Sequence, residues 1–382
     1  MIKHQIRATL VDRLILVFCK LLSRMRRLPL MLLAPFFALI AMFVGMFCRR
    51  ERRIASLQVE LALYGGLSQT RQGTSRILPS FFHPAMRRAE IFLTVMGSFA
   101  HVGYALGEVL KWQQIVCKEQ IRPKTSVLSV AADSPSQLSL NSFPSIIQLN
   151  RVRLVGANIA DYLIETNRGC IALAAHTGNF ELLAATFARM GSKLTVVART
   201  PKYPELHNLF NQIRHEYGMT LLWREDVAIA RKLMSALQQG NIVALLIDQD
   251  TNLPNSFSDF FGLKAATPIS PVRLALRAKV PLFTSFIYRT GWMSHEILVE
   301  EICGLETPTL GEAEILSIYN ARLEKIIRAH PMQWPWWHKR WRRRPDIDYD
   351  KNPEALLRTA QYLAWLENEV SLQHQLHKRV NA

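Results

Sequence analysis

Residues 170–191 read CIALAAHTGNFELLAATFARMG and contain a strand pattern, a turn and a helix pattern in succession. CIALAA is a continuous apolar run typical of a buried strand, and FELLAATFARM has the apolar spacing of a helix that faces a core. Gly178 permits a tight turn, Thr177 or Asn179 can cap the helix, and Gly191 suits its end. A buried strand that passes through a short turn into a helix is the unit of an α/β sheet.

The same alternation extends over residues 151–330. The strand candidates are CIALAA, KLTVVAR, TLLW, NIVALLI, PLFTSFIY and EILVEEI, and helical patterns separate them. Gly191, Gly218 and Gly240 end three of these helical patterns. The sequence therefore predicts an α/β fold with a central, mostly parallel or mixed β-sheet flanked by helices.

The N-terminal part is apolar and basic. Residues 28–48, LPLMLLAPFFALIAMFVGMFC, contain no charged residue and are long enough to cross a bilayer. Residues 7–27 have apolar positions at helical spacing with basic residues between them, which is typical of a helix lying on an anionic membrane. Pro29 and Pro35 also permit a kinked, half-inserted helix. We predict a membrane anchor over residues 1–53 and leave open whether segment 28–48 spans.

The remaining boundaries follow from composition. Helical patterns occupy residues 54–120, and Glu108 in the run AEIFLTVMGSFAHVGYALGEVL is typical of a solvated or paired helix residue. Ser, Pro and Asn enrich residues 121–150, which indicates a linker. We predict a helical segment with a linker over residues 54–150, an α/β domain over 151–346 and a C-terminal helical extension over 347–382.

Charge and cysteine usage limit the function classes. The 47 Lys+Arg against 30 Asp+Glu give a net charge of +17, which favours nucleic acid, anionic lipid, phosphorylated ligands or an acidic protein as partners. A hydrophobic content of 49% and a mean hydropathy of +0.06 favour a membrane-associated protein. Five scattered cysteines without a CxxC pair argue against a disulfide framework or a thiolate metal site.

Motifs for other chemistries are missing from the sequence. It has no Walker loop, no GxGxxG after a strand, no GxSxG elbow and no HExxH. Phosphate cradling by glycines, serine hydrolysis and zinc-peptidase chemistry therefore have no support, and we predict neither a metal nor a cofactor.

Two pairs have His-x4-Glu spacing, His176–Glu181 in HTGNFE and His295–Glu300 in HEILVE. HEILVE has a strand pattern, and residues five apart on a strand point to opposite faces, so His295 and Glu300 cannot cooperate directly. His176 lies in a turn at the carboxyl end of a strand, where open α/β sheets place their ligands. Glu181, in the first helical turn, can approach the imidazole as an acid that orients a base. A structural histidine is the alternative on this argument alone.

Further polar residues follow other strands. Arg199 ends the strand KLTVVAR, Arg214 lies on the helix after it, and Asp248 and Asp250 end the strand in LLIDQD. Each alone is more typical of a surface charge or an ion pair. Polar groups gathered at the ends of separate strands indicate a functional site.

Three blocks in this order resemble the bacterial lipid A biosynthesis (late) acyltransferases, of the lysophospholipid acyltransferase superfamily with its His-x4-Asp/Glu motif. HTGNFE is similar to that family's histidine block. DQD with FFGLKAATPISPVRLALRAKVPLF resembles its phenylalanine-glycine turn, Ala-rich helix and Val-Pro strand start. HPMQWPWWHKRWRRRP is similar to its C-terminal segment. The resemblance covers roughly residues 85–346, but the family's usual segment after the anchor is not recognisable around RRIASLQVELALYGGLSQTRQG.

The resemblance implies transfer of a fatty acyl group from a thioester donor, acyl carrier protein or acyl-CoA, to a hydroxyl of a phosphorylated glycolipid, a lipid A precursor. It implies His176 as general base, Glu181 as the residue that holds the imidazole, and Arg214 as first choice to stabilise the oxyanion. The location implied is the bacterial inner membrane, with the α/β domain on the cytoplasmic face.

Substrate contacts are assigned more broadly. Arg199 and Arg340, the latter in the HKRWRRR cluster, are candidates for acceptor phosphates. Asp248 and Asp250 would order these arginines or bind acceptor hydroxyls. The turn residues expected at the substrate are Thr177, Gly178 and Asn179.

Two alternatives remain. The same fold could acylate another membrane lipid, a lysophospholipid or a glycolipid. A non-enzymatic, membrane-anchored protein could instead bind nucleic acid through RRERR and HKRWRRR, but the sequence has no nucleic-acid reader motif, so no nucleic-acid partner is expected.

Overall fold

The sheet and its helices are seen in a computed structural model that describes residues 29–65, 84–111, 115, 146–159, 166–200, 204–304, 310–347 and 356–380. The predicted amphipathic helix at 7–27 and all but the end of the Ser/Pro-rich linker lie outside these residues. The longer helices are α1 (Leu30–Phe47), α2 (Arg49–Tyr64), α3 (Pro84–Val109), α4 (Phe180–Arg189), α5 (Pro204–Tyr217), α6 (Ile229–Gln238), α7 (Ser270–Ala278), α8 (Glu312–Ala329) and α9 (Thr359–Val380).

Strands alternate with these helices, as the sequence predicts for an α/β fold. The strands are β1 (Ile146–Leu149), β2 (Val152–Val155), β3 (Cys170–Ala174), β4 (Leu194–Ala198), β5 (Thr220–Trp223), β6 (Ile242–Leu246), β7 (Asn255–Phe260), β8 (Leu263–Pro268), β9 (Leu282–Gly291) and β10 (Ser294–Cys303). In the described part of the chain, eight of them form one sheet in the order β1-β2-β10-β9-β3-β6-β4-β5. The six strands predicted from apolar runs are all confirmed.

The centre of the sheet is parallel. β3 pairs in parallel with β6 on one side and with β9 on the other, and β4 continues from β6 to β5. β10 runs antiparallel to β9, so the sheet as a whole is mixed. Parallel neighbours end at the same edge, and the turns after β3, β6 and β4 therefore face the same side of the molecule.

Helices cover both faces of the sheet, and side chains alternate along each strand between the two cores. Cys170 and Ala174 of β3 pack in a cluster with α4 and α5. Ile171 and Leu173 pack in a second cluster with α6, α7 and α8. The predicted helix ends are confirmed, since the glycines after α4, α5 and α6 all have φ between 81° and 93°: Gly191, Gly218 and Gly240.

Three short features were not predicted from the sequence. β1 and β2 have only four residues each, too few for a clear apolar run. The hairpin β7–β8 falls in a stretch that we expected to be a turn followed by a helix. Phe261 and Gly262 both have positive φ, +52° and +79°, and this makes the tight turn that joins two antiparallel strands.

Helices α1 and α3 pack closely through small residues. A Cβ atom at Gly103 would lie 2.1 Å from the Phe37 carbonyl oxygen, and one at Gly107 would lie 2.6 Å from the Ala34 Cα. Glycines four residues apart let two helix backbones approach this way, a packing common between helices in membranes. Residues 30–47 and 85–109 are also long and apolar enough to cross a bilayer, with mean hydropathies of 2.5 and 1.3.

The C-terminal helix α9 is tied to the segment after α8. The Tyr362 hydroxyl, fully buried, donates to Gln58 of α2 at 3.0 Å and accepts from the Trp341 backbone N–H at 3.3 Å. The Gln58 amide in turn donates to the His338 carbonyl at 2.7 Å. Helices α2 and α9 together fix the path of the chain from Trp336 to Trp341.

Candidate active site

Strand register brings a histidine and an aspartate together at the carboxyl edge of the sheet. Ala174 of β3 pairs with Leu246 of β6, and His176 and Asp248 each follow two residues later. The His176 Nδ1 atom consequently lies 2.7 Å from the Asp248 Oδ1 atom. Open α/β sheets place their reactive groups at this edge.

The Asp248 carboxylate is fully buried and accepts three hydrogen bonds. They come from the His176 ring Nδ1, the His176 backbone N–H at 3.0 Å and the Trp334 indole N–H at 2.9 Å. Burial alone would raise the pKa of Asp248, but the His176 ring and these hydrogen bonds outweigh it and hold that pKa well below its usual range. Asp248 is therefore ionised near neutral pH and can only accept hydrogen bonds.

This pairing sets the tautomer of His176. Because the Asp248 carboxylate only accepts, the proton of a neutral His176 ring must lie on Nδ1. The Nε2 atom then carries a lone pair, as a general base requires. The His176 side chain is 23% exposed, so a substrate hydroxyl can reach it, whereas Asp248 beneath it is not exposed at all.

The expected partner of His176 differs from the observed one. Glu181 binds Arg214 of α5, with 3.2 Å between Arg214 Nε and Glu181 Oε2 and a second bond from Nη2 to Oε1. Glu181 lies in the first turn of α4 and faces α5, so its carboxylate is used there, and the carboxylate on the imidazole is that of Asp248. The structure does not bring the Glu181 carboxylate to the His176 ring, where the sequence predicts it.

The Glu181–Arg214 pair joins helices α4 and α5. Burial would lower the pKa of Arg214, but the attraction of the Glu181 carboxylate outweighs it and raises that pKa. Both side chains are less than one-fifth exposed. Glu181 thus keeps a guanidinium charged and oriented on α5.

The turn between β3 and α4 is buried rather than open. Asn179 caps α4 by accepting from the Leu182 backbone N–H at 3.2 Å, and Thr177 and Asn179 are only 1% and 2% exposed. Gly178 has φ +52°, and a Cβ there would lie 2.3 Å from the Ile287 carbonyl oxygen. These three residues shape the turn that presents His176, and substrate binding by them stays a prediction.

A second histidine, His338, lies beside the first, although no sequence motif marks it as a site residue. The Gln249 amide nitrogen lies 2.8 Å from His338 Nε2 and 3.2 Å from His176 Nε2. Burial, reinforced by the nearby His176, lowers the pKa of His338 to about 4, so it is neutral and can accept from the amide. The Gln249 amide therefore lies where a hydroxyl acceptor would approach the base.

Three further predicted residues have different surroundings. Asp250 binds Arg342 Nε at 2.9 Å and also Arg343, which agrees with the expectation that it orders arginines. Arg199 is exposed just after β4, where a phosphate could reach it. Arg340 is fully buried and its guanidinium binds the Ala266 carbonyl and, at 2.8 Å, the Thr267 hydroxyl. Arg340 thus braces the β7–β8 hairpin, and the structure does not place its guanidinium where the predicted acceptor phosphate could reach it.

The second His-x4-Glu pair is not a reactive pair, as predicted. His295 lies on strand β10, and its Nε2 is 2.9 Å from Glu108 of α3. Glu108 is likewise a paired residue rather than a solvated one. Across the described residues, no group of three or more His, Cys, Asp or Glu side chains is placed to hold a metal ion.

Comparisons with known proteins point to one family of enzymes. Residues 69–343 match the sequence model of a family described as "Bacterial lipid A biosynthesis acyltransferase". The chain is 25% identical over 208 residues to "Lipid A biosynthesis acyltransferase 2" of Shigella flexneri, covering 53% of this chain and 65% of that protein. It is 24% identical over 199 residues to "Phosphatidylinositol mannoside acyltransferase" of Mycobacterium tuberculosis, covering 51% of this chain and 61% of that protein. The chain thus spans less than two thirds of the length of either relative.

Proposed function

Because the chain belongs to the bacterial lipid A biosynthesis acyltransferase family, we propose that it transfers a fatty acyl group to a hydroxyl of a membrane lipid. The observation that carries the proposal is the His176–Asp248 pair, which leaves a lone pair on Nε2 of a partly exposed imidazole, where an acceptor hydroxyl would replace the Gln249 amide. Acyl transfer to a hydroxyl needs such a base, because a neutral alcohol is a weak nucleophile.

In the proposed reaction, His176 Nε2 takes the hydroxyl proton as the acceptor oxygen bonds to the thioester carbonyl carbon. The carbonyl π electrons move to the oxygen, and the resulting imidazolium is stabilised by the Asp248 carboxylate. When the tetrahedral intermediate collapses, the carbon–sulfur bond breaks and the imidazolium returns its proton to the leaving thiolate. The products are an ester and a free thiol.

The oxyanion of that intermediate needs a donor, a contribution of about 3–4 kcal/mol in other acyl-transfer enzymes. We assign this role to Arg214, whose guanidinium is held by Glu181. In this proposal Glu181 acts through the arginine and not through the histidine, which differs from the role that the resemblance implies.

As the finer assignment, we propose an acyl carrier protein thioester as donor and a phosphorylated lipid A precursor as acceptor, on the cytoplasmic face of the inner membrane. Acyl-CoA is the alternative donor. A net charge of +17 supports an acidic carrier, a phosphorylated glycolipid and an anionic leaflet as partners. Exposed Arg199 is the proposed contact for an acceptor phosphate.

A mannosylated phospholipid is the second candidate acceptor, since a relative named for phosphatidylinositol mannoside matches over nearly the same length. Mass spectrometry of lipid extracts from cells with and without the protein separates the two. A lipid A that gains the mass of one acyl chain supports the first acceptor. An unchanged lipid A with an altered glycolipid supports the second.

The reaction itself is tested in washed membranes with acyl-loaded carrier protein and a lipid A precursor. We expect His176→Ala to reduce acyl transfer about a thousandfold or more. His215→Ala is the matched control, because His215 is an exposed histidine on α5 outside the site. Activity of His176→Ala near that of the control would overturn the assignment of the base.

A further inference from the structure

Helix α3 carries a polar stripe that the proposed reaction does not use. His101, Tyr104 and Glu108 are spaced three and four residues apart, so they share one face of an otherwise apolar helix. That face is directed at the sheet, since Glu108 is fully buried and the His101 Nε2 atom is inaccessible to solvent. Polar side chains on the inner face of an apolar helix require partners.

Glu108 finds these partners on two strands and on the active-site turn. Its carboxylate accepts from both terminal nitrogens of Arg289, one at 2.8 Å, and pairs with His295 Nε2 at 2.9 Å. It also accepts from the Asn179 side-chain amide at 3.0 Å. A buried carboxylate is tolerated when its lone pairs are satisfied in this way.

The contact with Asn179 links α3 to the candidate base. Asn179 caps α4 and is three residues from His176. Its amide donates to the Ala105 carbonyl at 3.3 Å as well as to Glu108. Four residues before Ala105 on α3, the buried His101 ring lies against the backbone of Gly178. The helix therefore holds two consecutive residues of the turn that presents the imidazole.

Arg289, which binds Glu108, also helps to hold the other side of the turn. The Gly178 backbone N–H donates to the Gln333 carbonyl at 2.9 Å. The Gln333 side chain binds the Arg289 backbone at both N–H and C=O, at 2.6 and 2.8 Å. Because the Arg289 side chain also binds Glu108, hydrogen bonds link residues 178 and 179 to Gln333, Arg289 and Glu108 in a closed ring.

We propose that Glu108 is a positioning residue for the reaction, which sets the place of His176 by clamping the 177–179 turn through Asn179 and Arg289. This inference rests on the proposed function and goes beyond it, because it makes the apolar helix α3 part of the machinery that aligns the base. Glu108 acts through its neighbours and does not touch the reacting atoms. A displacement of about 1 Å in such a base lowers catalysis up to roughly a hundredfold.

Exchanging the hydrogen-bond donor and acceptor between Asn179 and Glu108 tests the contact between these two side chains. Asn179→Asp retains a good helix cap but sets its carboxylate against that of Glu108, and Glu108→Gln removes the carboxylate from Arg289 and His295. In the double variant the Gln amide donates to the Asp carboxylate, so the contact and the net charge of the cluster are both restored. Glu312→Gln, which removes an exposed carboxylate paired with Arg273, is the matched control.

We expect each single variant to lower kcat about ten- to hundredfold with KM changed by less than about threefold. The double variant should recover at least about tenfold over Asn179→Asp, and the control should match wild type. Variants whose thermal unfolding midpoints in detergent equal that of wild type have lost activity because His176 is misplaced, and not because the protein unfolds. Should Asn179→Asp accumulate poorly, Asn179→Ser replaces it as the single variant, since Ser caps the helix but lacks the amide donor. A double variant no better than the worse single variant would overturn the proposal.

A second readout does not depend on acyl transfer. The rate at which diethyl pyrocarbonate modifies His176, followed by peptide mass spectrometry, reports the placement of the ring. We expect both single variants to change this rate and the double variant to restore it. If wild-type protein transferred no acyl group while this pattern held, the proposed function would fail and the clamp would stand; an unchanged rate in both single variants would refute the clamp.

Discussion

At Asp248, three donors meet one buried carboxylate, and two of them belong to His176. The pairing depends on strand order: β6 lies beside β3, although β4 and β5 come between them in sequence. The residue types at the strand ends could be read from the sequence, but their adjacency could not. For this reason the sequence favoured Glu181, which is near His176 along the chain, over Asp248, which is near it in space.

The first residue-scale prediction concerns the tautomer of His176. Asp248→Asn keeps the shape of the side chain but presents an amide donor or a neutral oxygen to Nδ1, so the ring loses both its fixed orientation and the charge that stabilises the imidazolium. We expect kcat to fall on the order of a thousandfold or more, as measured by acyl transfer in washed membranes. Asp226→Asn, on the exposed turn before α6, is the control. A loss below about tenfold would contradict the assignment.

The second prediction concerns pH and His338. Its pKa is about 4 in the folded protein against 6.5 ordinarily, so between these values the unfolded chain binds more protons and stability falls as the pH falls. Above pH 6.5 the protein keeps all of the stability that depends on a neutral His338. Between pH 6.5 and 4 the free energy of unfolding falls by at most roughly 3 kcal/mol for this reason. We expect His338→Gln to show a smaller drop in unfolding midpoint than wild type between pH 6.5 and 4.5. Parallel curves for the two proteins would refute this.

At the scale of elements, regular apolar patterns were the reliable signal, and irregular ones were not. Each strand with five or more apolar or near-apolar residues in sequence was predicted, because burial on both faces demands such a run. The β7 strand, NSFSDF, contains only two apolar residues, which are three positions apart, and its partner LKAATP has no continuous apolar run either. From the sequence, Arg340 is expected to bind a phosphate together with the neighbouring basic residues. In the fold its guanidinium hydrogen-bonds the β7–β8 hairpin instead.

The close approach of α1 and α3 gives a prediction at the same scale. Gly103→Ala adds a Cβ that would lie 2.1 Å from the Phe37 carbonyl oxygen, so the two helices must separate. An alanine normally stabilises a helix by up to about 1 kcal/mol over glycine, whereas overpacking costs about 1–3 kcal/mol. We therefore expect a net loss of stability, seen as a lower unfolding midpoint in detergent. Gly311→Ala is the control, because no atom lies within 4 Å of a Cβ at that position. Equal midpoints for the two variants would show that α1 moves away from α3 without loss of stability.

For the molecule as a whole, the apolar surface is concentrated on α1 and α3. On α1, Leu39 and Phe43 are 61% and 58% exposed and share a face one turn apart. A soluble protein rarely exposes such a surface, so a lipid bilayer is its expected surrounding. Composition alone predicted this preference, but the pairing of the two helices appeared only in the fold.

Replacing Leu39 and Phe43 together by Glu tests this surface. Each charge costs about 2.5–3.5 kcal/mol at the centre of a membrane helix, so we expect a large fraction of the protein to leave the membrane pellet after an alkaline carbonate wash. The Leu39→Ala/Phe43→Ala protein, which removes bulk without adding charge, should remain in the pellet. Full retention of the Glu variant would show that α1 does not face lipid.

The indole of Trp334 has one more consequence. It donates to Asp248 at 2.9 Å and stacks edge-on against Trp336, with ring centroids 4.8 Å apart, deep in the protein. An indole hydrogen-bonded to a carboxylate senses the electric field of that group, so its emission should respond when charge develops on the neighbouring imidazole. The protein thus carries its own fluorophore at the site, and the difference spectrum between wild type and Trp334→Phe would follow acceptor binding in real time without any added label.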